Sequence, residues 1–131
     1  MNRLVNPEDL TPPIGFSHAV ESTGGRTLYV AGQTGHHADG SIDSGLLEQY
    51  RKALASVARC MQEAEFGVET LVQMLIYTTD VEGYRQNLKP LGEAYREVFG
   101  RHYPAIALFG VTELFDPAAK IELVCTAVSE G

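Results

Sequence analysis

The chain of 131 residues contains no tryptophan, only two cysteines and no apolar run of the roughly 20 residues that a membrane-spanning helix needs. Cys60 lies in a helical pattern and Cys125 in a strand pattern, and no apolar leader precedes them. We therefore expect reduced, packed thiols in a cytoplasmic protein, with no metal or redox role. These scarcities argue against a disulfide scaffold and a membrane protein.

Positive charge is also scarce, because 10 lysines and arginines stand against 17 aspartates and glutamates, a formal net charge of −7. The basic residues are scattered, whereas affinity for a phosphate backbone depends on grouped lysines and arginines. We expect neither a nucleic-acid nor a membrane partner. A hydrophobic content of 44% with no linker or internal repeat predicts a single domain over residues 1–131.

Five short β-prone or apolar runs predict strands. The turn at Thr23-Gly24-Gly25-Arg26 separates the first two runs, which indicates a hairpin, and Asp116-Pro117 marks a turn between the last two. The predicted strands are Val20–Ser22, Leu28–Ala31, Leu71–Thr79, Ile106–Val111 and Ile121–Val128.

Two helices are predicted from apolar residues that recur every third or fourth position. The first runs from Leu47 to Ala64, with Asp43 or Ser44 as its cap and Gly67 as its stop. The second stripe runs from Tyr84 to Phe99 and ends at Gly100. Pro90 interrupts it, so we expect a kink or a fresh start there.

The resulting order, β-β-α-β-α-β-β, predicts an α+β fold with a β-sheet in one layer and two helices in the other. Both alternating rows of the last strand are largely apolar, yet two helices can cover only one face of a sheet. The other face needs a partner, and self-association into a symmetric oligomer is the commonest way to supply one.

Glu122 is the exception in those apolar rows. A carboxyl group there has lost part of its hydration, which suits a general base, an acid or a group that binds water. The alternative is a structural glutamate at a strand end, paired with a surface cation such as Lys120. The turn from Gly32 to Gly35 follows a strand and could present backbone N–H groups to a ligand, although most such turns are only turns.

The histidines are weak candidates. His36 and His37 are adjacent, so in an extended segment they point to opposite sides and cannot chelate one metal together. His18 and His102 stand alone. We find no Ser/His/Asp order, CxxC pair, HExxH or phosphate loop, and we predict no metal and no cofactor.

Four segments, read together, resemble the Rid/YjgF family, the reactive intermediate deaminases. The likeness covers nearly the whole chain. The segments are Pro13-Ile14-Gly15-Phe16-Ser17-His18-Ala19-Val20, Ala31-Gly32-Gln33, His102-Tyr103-Pro104-Ala105 and Lys120-Ile121-Glu122-Leu123.

The resemblance implies a chorismate-mutase-like protomer in a homotrimer whose sheets form a central barrel, with ligand pockets in clefts between subunits. Well-known family members hydrolyse enamines and imines to a 2-oxo acid and ammonia without a cofactor. By this likeness Glu122 is the catalytic residue that handles water. The ligand site is expected at Phe16, Gly32, Gln33, Ala105 and Ile106.

Three departures from the family are visible. The arginine that holds the substrate carboxylate is replaced by Ile106, and a charge-assisted hydrogen bond of that kind contributes about 1.5–3 kcal/mol. We therefore expect a neutral or less acidic ligand, unless a cation such as His36 or His37 of a neighbouring subunit takes its place. Gly15-Phe16 stands where the family commonly has Gly-Pro-Tyr, and the segment from Tyr84 to Leu91 is about one helical turn longer.

Three functions remain open. The chain is an enamine or imine hydrolase that uses Glu122, or a non-catalytic metabolite-binding or biosynthetic accessory protein on the same scaffold. An endoribonuclease or translation inhibitor is a third reading, which the acidic composition disfavours.

Overall fold

The computed structural model describes residues 1–130, which form six strands, three α-helices and a short 3-10 turn at Val68–Thr70. The predicted α+β class is confirmed, and β1 is a strand that the sequence patterns did not indicate. The strands are β1 (Asn2–Val5), β2 (Ala19–Ser22), β3 (Arg26–Gln33), β4 (Leu71–Thr78), β5 (Ala105–Gly110) and β6 (Ile121–Ser129), and the helices are α1 (Leu46–Glu63), α2 (Val81–Gln86) and α3 (Leu88–Phe99).

Four strands form the main sheet in the order β3-β6-β4-β5. β6 runs antiparallel to both of its neighbours, whereas β4 and β5 are parallel. β1 and β2 form a separate antiparallel ribbon. The ribbon lies across one end of the sheet, where Ser17 bridges to Ala105 and the Asn2 amide donates to the Val128 carbonyl oxygen at 2.9 Å.

The predicted hairpin between the first two runs is wrong. β2 pairs with β1, and β3 pairs with β6. The cause lies at Gly24, where an added Cβ would stand 2.6 Å from the Ser129 carbonyl oxygen. The glycine lets the chain pass directly against the end of β6, so β3 enters the sheet beside β6 instead of folding back on β2.

Helix α1 forms where the apolar periodicity predicted it, but the predicted cap, Asp43 or Ser44, and the predicted stop, Gly67, are wrong. Gly45 is the N-cap residue, and no side chain caps the helix. At the other end Glu65 adopts a left-handed φ of 61°, and the Phe66 N–H donates to the Met61 carbonyl oxygen at 2.8 Å. This is a Schellman arrangement built on a glutamate, so the helix ends before Gly67 is reached.

The second helical stripe is divided, as Pro90 predicted. α2 ends at Gln86, and α3 begins at Leu88 after Asn87. Pro90 is the third residue of α3, where a backbone N–H has no partner within the helix.

The two faces of the sheet differ as the alternating rows of β6 predicted. Ile121, Leu123, Cys125 and Ala127 are at most 1% exposed and pack in the core with α1 and α3. The intervening residues of β6 lie on the opposite face, which we call the open face, and are only partly buried. Its other members on β4 and β5 are Gln73, Leu75, Tyr77, Ala105, Ala107 and Phe109.

Burial raises the pKa of the Cys125 thiol to about 12, which fits its place in the core. Across the described residues no helix has the length and apolar character needed to cross a bilayer.

Candidate functional site

Glu122 projects from β6 onto the open face, where its carboxyl group lies against the backbone of Gly32. A Cβ on Gly32 would stand 2.4 Å from Oε2 of Glu122, so the space beside β3 is open to the carboxyl group only because residue 32 has no side chain. The β3–β6 register shifts between Val30 and Gln33, a local irregularity that accompanies this close approach. Two of the predicted site residues are thus in contact.

The other side of Glu122 is aromatic. Tyr77 is its partner on β4, and the Tyr77 ring stacks on Phe109 of β5 with centroids 5.4 Å apart. Among the open-face residues on β4, β5 and β6, Glu122 is the only carboxylate. Its neighbours offer apolar surface rather than counter-charge.

Lys120 does not act as the surface cation that the structural alternative required. Within residues 1–130 no ion pair joins Glu122 to Lys120, and the Lys120 backbone N–H instead donates to Oε1 of Gln49 at 2.7 Å. Gln33 is in register with the buried Leu123, and its amide donates to the Ala31 carbonyl oxygen at 3.1 Å. In the single chain the Gln33 side chain therefore folds back onto β3.

The remaining predicted residues gather at the start of β5. Ser17 fixes them, because its backbone N–H donates to the Pro104 carbonyl oxygen at 2.9 Å and its hydroxyl to the Tyr103 carbonyl oxygen at 2.6 Å. Phe16 therefore lies next to Ala105, and its ring meets the His18 ring edge-on at 5.0 Å. Ile106 follows, in register with the buried Met74 on β4.

Ile106 forms part of the wall of a cavity of about 370 Å³ between α3, α2 and the edge of the sheet. Four tyrosines and one arginine give this cavity most of its chemistry, and we call it the tyrosine cavity. None of these five residues was predicted from the sequence to belong to the functional site. They are Tyr50, Tyr84, Tyr95, Tyr103 and Arg96, and the cavity is also lined by Ile14, Gly15, Ile76, Leu88, Leu91 and Gly92.

Three of the cavity tyrosines are partly or fully buried at their hydroxyl-bearing rings, and burial keeps these three hydroxyls neutral by raising their pKa. Burial raises the pKa of Tyr50 well above its ordinary value, and it also raises the pKa of Tyr84 and of Tyr95. The Tyr95 hydroxyl donates to the His102 carbonyl oxygen at 2.6 Å, and its ring stacks on Tyr103 with centroids 5.4 Å apart. The cavity wall therefore consists of aromatic and aliphatic side chains, with Arg96 as its one charged residue.

The predicted site residues thus form two groups within one chain. Glu122 and Gly32 lie on the open face beside β6, whereas Ile106 contributes to the tyrosine cavity beyond β4. Tyr77 is opposite Glu122 and Met74 is opposite Ile106, so the two groups lie three residues apart along β4 and on opposite faces. A single copy of the chain does not bring them together.

The adjacent histidines each pair with a different aspartate. His36 Nε2 lies 2.7 Å from Asp116 Oδ2, and its Nδ1 lies 2.5 Å from the Thr34 hydroxyl. His37 Nε2 lies 3.0 Å from Asp43 Oδ2. The Ala118 backbone N–H, and then the hydrogen bond from His36, lower the pKa of the Asp116 carboxyl group. In the described part of the chain no three His, Cys, Asp or Glu side chains are grouped so that they could hold a metal ion.

The chain is similar to known proteins over nearly its whole length. The family model described as Endoribonuclease L-PSP matches residues 8–129. A RutC family protein from Aquifex aeolicus is 30% identical, over 95% of this chain and 98% of its own length. The RutC family protein UK114 from Drosophila melanogaster is 26% identical, over 98% of this chain and 91% of its own.

Among solved structures, the Rid-family protein YyfB from Yersinia pestis superposes with a TM-score of 0.84 at 29% identity, over 98% of both chains. This agreement confirms the predicted chorismate-mutase-like protomer fold. The chain therefore belongs to the Endoribonuclease L-PSP family, which is also known as the Rid/YjgF family.

Proposed function

We propose that this protein binds a small metabolite in clefts between identical subunits and hydrolyses enamine or imine intermediates there to a carbonyl product and ammonia. The observation that carries the proposal is the carboxyl group of Glu122, laid against Gly32 on a face with no other carboxylate on β4, β5 or β6. A carboxylate in such surroundings can hold and activate one water molecule.

The proposed hydrolysis uses only water and the Glu122 carboxyl group. An enamine takes a proton at carbon to become the iminium ion, and water then adds to the iminium carbon while Glu122 accepts a proton from that water. Glu122 returns this proton to nitrogen, which makes the amine a leaving group. As the C–N bond breaks, the hydroxyl group gives its proton to Glu122, so the carbonyl forms and ammonia departs, and Glu122 then releases the proton to solvent. Because Gly32 has no side chain, the carboxyl group of Glu122 can lie directly against the backbone of β3.

A second copy of the chain completes the site in this proposal. Glu122 and Ile106 lie on opposite faces of one sheet, so a cleft that contains both types of residue must take them from different subunits. The open face favours such contact, since Tyr29 is 79% exposed and Phe109 is 46% exposed in the isolated chain. We infer a homotrimer whose open faces meet at the centre.

Substitution of Val124 by arginine, at the middle of the open face, is expected to convert the trimer to monomers because it would bury three unpaired guanidinium groups together. Sedimentation equilibrium of the wild-type and Val124→Arg proteins measures this. Gln62→Arg on the exposed side of α1 is the control and should remain trimeric. A monomeric wild-type protein would contradict the shared cleft.

Activity is tested by following ammonia release from a panel of 2-imino acids and neutral imines generated in situ by an amino acid oxidase or an amine oxidase. The wild-type protein is expected to accelerate release over the spontaneous rate for part of that panel. Binding of the same panel's stable carbonyl products, without any acceleration, would instead indicate a metabolite-binding protein on this scaffold.

A further inference from the structure

We propose that Arg96 is the carboxylate-binding group of the tyrosine cavity, so that the cavity takes a carboxylic acid with an apolar or aromatic body. This inference rests on the proposed small-molecule function and specifies its ligand class. It also changes an expectation from the sequence, where the isoleucine at position 106 indicated a neutral or less acidic ligand.

The position of Arg96 follows from the periodicity of α3. Leu88, Leu91, Gly92 and Tyr95 all line the cavity, and Arg96 is the next residue of this helix face. The guanidinium group folds back toward the preceding turn, since a Cβ on Gly92 would stand 3.2 Å from Nη1 of Arg96. The glycine leaves room for the arginine to lie along the helix at the cavity wall.

Arg96 has no protein anion of its own. Within residues 1–130 its guanidinium takes part in no ion pair, whereas Arg3 pairs with Glu21 at 3.1 Å and Arg59 with Glu63 at 3.2 Å. Arg96 is nevertheless partly buried, and the neighbouring Glu93 points outward as an exposed residue. The Arg96 guanidinium therefore faces the cavity without a protein carboxylate beside it, and an anionic ligand can pair with it without displacing a protein partner.

The other residues of the cavity indicate the size and the apolar character of the ligand. Ile106 and Leu91 supply aliphatic surface, and the tyrosine rings supply flat aromatic surface. A volume of about 370 Å³ is at the small end of ligand pockets and suits a molecule no larger than an aromatic amino acid. Arg96 offers a planar fork of donors, which matches the two oxygens of a carboxylate.

Arg96 and Ile106 approach the cavity from different walls, α3 and β5 respectively. A carboxylate held at Arg96 is therefore anchored at the helix, and the apolar part of the ligand lies toward Ile106. In this chain the cation comes from a helix, while the strand position that resembles the family's arginine site contributes packing surface.

The test uses phenylacetate and phenylacetamide, two probes of the same shape that differ in charge. Isothermal titration calorimetry of the full-length protein should show that phenylacetate binds more tightly. Arg96→Gln should weaken phenylacetate binding by about 10-fold to 100-fold, the loss expected for one charge-assisted interaction, and leave phenylacetamide unchanged. The phenylacetate affinity of Arg96→Lys should lie between those of the wild-type and Arg96→Gln proteins, because lysine keeps the positive charge but lacks the planar pair of donors.

Arg59→Gln, on the exposed surface of α1, is the matched control and should bind both probes like the wild type. Melting temperature and sedimentation identify any variant that has lost its fold. Equal phenylacetate affinities in the wild-type and Arg96→Gln proteins would overturn the role of Arg96 and leave the proposed hydrolysis standing. Failure of the wild-type protein to bind either probe, together with no accelerated ammonia release, would overturn both proposals.

Discussion

Replacement of Glu122 by glutamine is expected to lower kcat for ammonia release by about 100-fold or more, the usual contribution of a positioned general base. The amide keeps the size of the side chain but cannot accept a proton from water. Ligand affinity should change much less than kcat, because the proposed carboxylate anchor is Arg96 and Glu122 acts on the reacting atoms. Steady-state kinetics on imines generated in situ measure the change, and the exposed Glu113→Gln is the control.

Gly32→Ala tests the same carboxyl group without altering it. The new Cβ would lie 2.4 Å from Oε2 of Glu122, and the flexible end of that side chain must move. We expect a folded protein with reduced kcat and little further loss when both substitutions are combined, since they act on one group. At Gly25 the nearest atom to an added Cβ is 3.7 Å away, so Gly25→Ala should be neutral. Independent, additive losses would contradict this coupling.

Substitution of Gln49 by leucine is expected to lower the free energy of unfolding by about 3 kcal/mol or more. Gln49 is 0% exposed, and its amide donates to the carbonyl oxygens of Asp43 at 2.8 Å and Ala118 at 3.0 Å. Its Oε1 accepts from the Lys120 N–H at 2.7 Å. Leucine fills similar space but removes three hydrogen bonds between the buried amide and the backbone, each of which contributes about 1 kcal/mol.

Urea denaturation of the Gln49→Leu protein, at fixed subunit concentration, gives the size of this loss. Gln62→Leu, on the exposed side of the same helix, should change stability by less than about 0.5 kcal/mol. A loss below about 1 kcal/mol for Gln49→Leu would mean that water replaces the amide. The site is closely fitted, because a Cβ on Gly35 would stand 2.6 Å from Cα of Gln49. Gln49 thereby fixes the chain directly before β6 and the position of Glu122.

Local patterns in the sequence predicted the helices and most of the strands because those patterns reflect burial. The spacing from Leu47 onward reports the face of α1 that packs on the sheet, and Pro90 reports the boundary between α2 and α3. The hairpin prediction failed because strand pairing depends on tertiary contacts. The Gly24-Gly25 signal marked a close approach to Ser129 rather than a tight turn between paired strands.

The candidate site was predicted in part. Glu122 and Gly32 were identified separately, and their contact follows from the β3–β6 register, which no local pattern encodes. Arg96 was missed because a single arginine beside an apolar helical stripe carries no motif. The available signal was its place one turn after Gly92, next to the apolar stripe that contains Leu91 and Tyr95.

The family name includes ribonuclease activity, and the electrostatics of this chain argue against RNA as its ligand. The formal net charge is −7, and Arg26, one of the 10 basic residues, donates to the Ala64 carbonyl oxygen and stacks on Phe66. Affinity for a phosphate backbone would need a basic stripe. The tyrosine cavity, with one guanidinium among aromatic rings and a volume of about 370 Å³, has the size of a small-molecule pocket.

The placement of Glu122 and Ile106 on either side of β4 has a genetic consequence under the proposed clefts. Each chain contributes Glu122 to the cleft shared with one neighbouring subunit and Ile106 to the cleft shared with the other neighbour. Two different inactive alleles, one damaged at each of these positions, would then rebuild some intact centres when co-expressed in a mixed ring. When two alleles are co-expressed, the number of intact clefts in a mixed trimer would therefore depend on which subunit carries each substitution and on the order of the subunits in the ring.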